Sequence, residues 1–161
     1  MMNPSAADET VSDDTINKVA EALIEDSQKI SILNLFPFYE PDSTLLGDVI
    51  NNSEETILEE NKASFAEAIE HSHKIILAWG DVPKGLAAKL HNKHVHELIE
   101  VIEECNKSNF LYVFNYGEKS KLKFISKKKR PLHPSRKKIH SLKKVKSYYF
   151  SRELLHLEFD K

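Results

Sequence analysis

Three carboxylates crowd the start of the chain: Asp8, Asp13 and Asp14. Such a group could hold Mg²⁺, which takes oxygen ligands and often bridges them to phosphates. The same side chains could instead cap a helix, because they accept hydrogen bonds from its free N–H groups and suit its positive end. Further along stand His91, His94 and His96. On a helix His91 and His94 share a face and His96 points elsewhere, so the three do not converge as zinc ligands must, and Cys105 is too distant to be an obvious fourth. No metal is therefore assigned. Ser5 and His133 could belong to a nucleophilic triad, yet no Gly-x-Ser-x-Gly turn presents the serine. The four glycines are isolated from one another, which removes the dinucleotide and P-loop fingerprints, and no cofactor is expected.

Charge is the strongest compositional signal. The net charge is only −2, but Glu118 to Lys146 holds thirteen Lys or Arg residues and one acid, giving +12, while the remainder sums to −14. Such a split suits a positive face for a polyanion on an otherwise acidic, soluble molecule. Lys127, Lys128, Lys129, Arg130, Arg136, Lys137 and Lys138 are the candidate phosphate contacts, with DNA or another nucleic acid as the partner. The alternative is a solvated, lysine-rich surface.

The elements that must position these residues follow from periodicity. Ser12, Asp13 and Asp14 can open a helix whose stripe is Ile16, Val19, Ala20 and Leu23. Ile30 to Phe36 is dense enough in apolar residues for a strand buried on both faces, ended by Pro37 and Pro41. A second helix is expected after Ser53, with Glu54 and Glu55 in its first turn and Leu58, Phe65 and Ile69 inside. Lys74 to Trp79 reads as a strand closed by Gly80, and Pro83 to Leu90 as a short helix. A longer helix runs over His94 to Glu104, and Phe110 to Tyr116 is a further strand. Alternating strands and helices predict one α/β domain, a three-layer α/β/α arrangement around a mostly parallel sheet of about four strands. It spans residues 1–161, with the basic segment at 118–146 and an aromatic tail at 147–161. The longest apolar runs, such as Ile75 to Trp79, fall far below the ~20 residues of a spanning helix. There is one cysteine and so no internal disulfide, and the N-terminus lacks a secretory pattern; a cytoplasmic location is expected. Oligomeric state is not legible.

Ligands of parallel α/β sheets sit beyond the carboxyl ends of the strands. That rule selects residues 3–8, 34–38, 80–84 and the loop holding His133. In those segments Met2-Asn3-Pro4-Ser5-Ala6-Ala7-Asp8, followed by Asp13-Asp14-Thr15-Ile16, resembles the signature of domain-of-unknown-function family 1643. Asn34-Leu35-Phe36, Ala78-Trp79-Gly80 and Pro131-Leu132-His133-Pro134 look like that family's later landmarks, in the same order. The proline of its second acidic motif is missing. The resemblance also implies an apolar strand before Asn3, of which only Met1 and Met2 are present, so the first strand is expected to be truncated. More remotely, Asn3-Pro4, Asn34, Trp79-Gly80 and His133-Pro134-Ser135 resemble landmarks of the uracil-DNA glycosylase superfamily.

The remote resemblance implies a chemistry. Cleaving a base from its sugar leaves positive charge on the sugar and negative charge on the base, so a held water and a donor to the base are needed. Asn3 would hold the water, His133 would donate to the leaving base, and Asp8 is the carboxylate within the matched signature. Asn34 would read a base edge, Phe36 or Phe38 would stack on it, and Pro4, Ser5 and Ser135 would line the pocket. Each has an ordinary reading beside it. Asn3-Pro4-Ser5 can be a plain turn, Asn34 can satisfy backbone groups, the phenylalanines and Trp79 can be core, and His133 can be a lone histidine in a basic loop. The expectation is a nucleic-acid-associated protein, an N-glycosidic hydrolase in its sharpest form. The alternatives are a non-catalytic nucleic-acid-binding module and, third, a metal-assisted hydrolase using Asp8.

Overall fold

The computed structural model describes residues 1–2, 13–40, 45–51, 55–118, 122–135 and 138–160. Helix α1 (Asp14–Leu23) begins where the acids predict: the Asp13 carboxylate accepts the N–H groups of Thr15 and Ile16. A short helix α2 (Leu46–Asn51), not foreseen from the sequence, precedes α3 (Glu55–Glu70). The expected Ser53 cap and Glu54 lie outside the described residues, as does Pro41. Strand β1 (Ile75–Leu77) leads through Gly80 into a loop, and α4 (Ala88–Glu104) is one continuous helix. The two helices expected over residues 83–104 thus give way to a turn and this single helix. Its buried stripe is His91, Val95, Leu98, Ile99 and Ile102, spaced so that one face meets the core.

The sheet is small and mixed, which corrects the mostly parallel expectation. Strand β2 (Leu111–Asn115) runs parallel to β1, pairing Ile75 with Leu111 and Leu77 with Val113. On its other side lies β3 (Ser141–Lys144), antiparallel, with Phe114 opposite Leu142. The sequence hid β3 because its Leu142, and Val145 just beyond it, sit among lysines, and no apolar run announces it. The expected tail is a hairpin: β4 (Ser147–Ser151) pairs antiparallel with β5 (Leu154–Glu158). Arg152 and Glu153 both adopt positive φ, 49° and 63°, the geometry of the tight turn that matches strand twist.

Residues 30–36, expected as a strand, form no regular strand, and Leu35 and Phe36 lie in a bend. They are held by Met1 and Met2: Met1 donates to the Leu33 carbonyl, and its own carbonyl accepts the Leu35 N–H at 2.8 Å. The Phe36 N–H donates to the Met2 carbonyl at 2.8 Å. The first bonds have the parallel pattern, so the two methionines act as the strand beside Asn34.

Alternation along β1 and β2 separates two apolar clusters. Ala78, Phe114 and Tyr116 pack with Val19 and Leu23 of α1. Leu77, Trp79, Leu111 and Val113 pack with Ile99 and Ile102 of α4, Ile69 of α3 and Leu155 of β5. Helices therefore cover opposite faces of the sheet, and the hairpin closes over α4. No helix among the described residues is long and apolar enough to cross a membrane.

Candidate functional site

Gly80 ends the β1 segment at φ +83°, and an added Cβ would lie 2.9 Å from the His133 Cβ. The histidine loop is thus seated directly on a position that only glycine fills without strain. Gly80 also donates its N–H to the Pro131 carbonyl at 3.0 Å, and Pro134 is fully buried, so both flanks of His133 are fixed. The ring itself is set by Ser135, whose N–H donates to Nδ1 at 3.2 Å. An occupied Nδ1 acceptor puts the ring hydrogen on Nε2, leaving an N–H donor there. Burial, and then the positive charge at Met1, lower its pKa to about 4 against the opposing pull of Asp13. The imidazole is neutral at pH 7.

Asn34 lies on the segment paired with Met1. Its backbone carbonyl accepts from Asn61 Nδ2 of α3 at 3.2 Å. Its side-chain Oδ1 is buried and has no hydrogen-bond partner among the described residues. A buried acceptor left over is costly unless something donates to it. Asn3, Pro4, Ser5 and Asp8 lie outside the described residues, as do Arg136 and Lys137.

The aromatic candidates turn inward. Phe36 is 0% exposed and meets the His94 ring edge-on at 4.9 Å; Phe38 is 8% exposed. Neither offers a face for stacking. Of the cations, Lys127, Lys128, Lys129 and Lys138 are exposed, whereas Arg130 is 9% exposed and donates through Nη2 to Asn92 Oδ1 at 2.9 Å. Burial is the larger influence on Arg130 and lowers its pKa, while Asp81 nearby opposes that shift. Ser135 is exposed and contributes its backbone N–H to His133.

The lysine turn is tied to the same loop as His133. Residues 125 and 131 bridge antiparallel, and the Ser126 hydroxyl donates to Asp81 Oδ1 at 2.6 Å, one residue beyond Gly80. The Gly80–Asp81 corner therefore holds the histidine on one side and the basic turn on the other. A cavity of about 10 Å³, room for one water, sits behind this corner between Trp79, His91, Arg130 and Leu155.

Several polar residues of this region gave little warning in the sequence. Asn115 is 2% exposed and fully satisfied: Oδ1 accepts the N–H groups of Gly117 and Lys123 at 3.1 and 2.9 Å, and Nδ2 donates to the Gly117 carbonyl and Ser141 Oγ. An asparagine closing an otherwise apolar strand was the available signal. His94 pairs through Nδ1 with Glu97 at 2.9 Å, and His96 lies 3.4 Å from Glu100. Among the described residues no three His, Cys, Asp or Glu side chains gather as metal ligands would.

The fold and these contacts define a small α/β protein with a half-buried, neutral histidine seated on Gly80 and a cationic turn beside it. The model of the family described as "Protein of unknown function (DUF1643)" matches residues 1–135, and the chain belongs to that family. No curated protein and no solved structure matches it.

Proposed function

We propose that this protein binds nucleic acid through the turn carrying Lys127, Lys128 and Lys129 and acts on an N-glycosidic bond at the adjacent strand ends, in the manner of a uracil-DNA-glycosylase-like hydrolase. The observation that carries the reading is the state of His133: neutral, oriented through Nδ1, and with its ring hydrogen on Nε2. A departing base gathers negative charge on its oxygen, and a donor fixed beforehand in a desolvated position stabilises that charge without reorganising. The Oδ1 of Asn34, which has no partner among the described residues, suits an N–H on the edge of the same base. Asn3 is the proposed holder of the water, with Pro4 and Ser5 beside it. The exposed lysines would hold the flanking phosphates by charge, so binding should weaken steeply with salt.

The inward turn of Phe36 and Phe38 favours a second reading, a nucleic-acid-binding module without catalysis, because a flipped base would lack the aromatic platform expected for it. One experiment separates the two. The protein is incubated with a labelled, uracil-containing single-stranded oligonucleotide, and both abasic product and bound fraction are followed between 50 and 200 mM salt. Under the first reading His133→Ala lowers product formation by about 10² or more while binding changes little. Binding without product in the unaltered protein selects the second. Neither product nor salt-dependent binding would remove both.

A further inference from the structure

Arg130 ends the basic run in sequence, but its side chain points away from the three lysines and into the protein. Its guanidinium reaches Asn92 on α4 at 2.9 Å. Around it a set of bonds converges on Ser126. The Ser126 N–H donates to the Arg130 carbonyl at 2.8 Å, and the Lys129 N–H donates to the Ser126 carbonyl at 3.0 Å. The Ser126 hydroxyl accepts the N–H groups of Lys128 and Arg130 at 3.1 and 3.3 Å and donates to Asp81. Lys129 is held at φ 64°, a conformation a lysine does not keep unless its surroundings impose it. The turn is thus closed on itself at Ser126 and fastened to the body at two points, Asp81 and Asn92.

We infer that Arg130 and Asn92 are positioning residues: their hydrogen bond pins the 126–130 turn so that Lys127, Lys128 and Lys129 are presented together to a polyanion, and Arg130 makes no phosphate contact itself. The consequence for binding rests on the nucleic-acid reading above; the pin does not. A free lysine-rich turn would have to be ordered as it bound, and that cost subtracts from affinity without altering how many phosphates are neutralised. A phosphate contact behaves differently, since losing one lowers the salt dependence itself. The two roles are therefore separable by measurement.

The test uses Asn92→Ala, Arg130→Met, Asn92→Asp and Lys128→Ala in the full chain. Amide hydrogen exchange is read in the free protein, and binding to the same oligonucleotide is read across 50 to 200 mM salt. Asn92→Ala removes no charge, yet it should speed exchange at residues 128–130 and weaken binding roughly 5- to 20-fold with an unchanged salt slope. Arg130→Met should do the same. Asn92→Asp keeps the acceptor oxygen and should match the unaltered protein in exchange and slope. Lys128→Ala should leave exchange alone and reduce the slope by about 0.7. Unchanged exchange in Asn92→Ala overturns the pin, and so does acceleration that extends equally to the amides of β2, which would mean loss of the fold. A reduced slope in Arg130→Met with normal binding in Asn92→Ala makes Arg130 a phosphate contact. If the unaltered protein binds no oligonucleotide, the nucleic-acid reading falls while exchange still decides the pin.

Discussion

Lowering the pH from 7 to 5 should destabilise the protein by an amount traceable to His91. The ring is 1% exposed, stands on α4 against Phe36, and has no partner for its Nε2 among the described residues. Burial, followed by the nearby Arg130 charge, lowers its pKa from 6.5 to about 4. The sign follows directly. Below pH 6.5 the unfolded chain takes up a proton that the folded protein refuses, so stability falls with pH until about 4, where both states are charged. The gap of about 2.5 pKa units corresponds to about 3 kcal/mol in full, of which about 2 kcal/mol is lost by pH 5. Urea unfolding at pH 7, 6 and 5, in the unaltered protein and in His91→Leu, isolates the contribution. Leucine has similar bulk and no proton to gain, and at pH 7, where His91 is neutral, the comparison reports packing and the Nδ1–Asn92 contact. The two stability profiles should converge or cross as pH falls, the difference changing by about 2 kcal/mol. Parallel profiles would refute the argument, because the other titrating groups are common to both proteins.

Three further outcomes are expected. Asn115→Ala removes four hydrogen bonds and strands the N–H groups of Gly117 and Lys123, so it should cost about 3 kcal/mol in urea unfolding. Gly80→Ala places a Cβ 2.9 Å from His133 at positive φ; it should cost about 1–3 kcal/mol and move the His133 ring resonances in NMR spectra. Asp13→Ala deletes the N-cap of α1 and should destabilise by about 1 kcal/mol, read as a lower urea midpoint with an unchanged m-value.

The helices were readable because their signals are local. Asp13 and the Ile16–Leu23 stripe mark α1, and Val95, Leu98, Ile99 and Ile102 mark α4. The parallel pair β1–β2 was readable because both strands are buried and therefore apolar along their length. Strand β3 was not, since its lysines face solvent and its partner is chosen by tertiary contact rather than by pattern. The segments holding Asn34, Gly80 and His133 could be selected from the expected topology before their contacts were known, although Asn34 and His133 stand in irregular segments. What the sequence could not reveal was direction. Arg130 looks like its lysine neighbours until Asn92, thirty-eight positions away, turns it inward. Phe36 looks like a stacking ring until His94 closes over it.

Asn61 has a consequence for how the molecule lives among copies of itself. Its amide donates to the carbonyls of Asn34 and Leu35, acceptors of an irregular segment that would otherwise be open to another backbone. Exposed acceptors of that sort are the templates on which chains stack edge to edge and aggregate. By occupying them from a helix, a single asparagine side chain guards the flank of the 33–36 segment against being extended by a stranger.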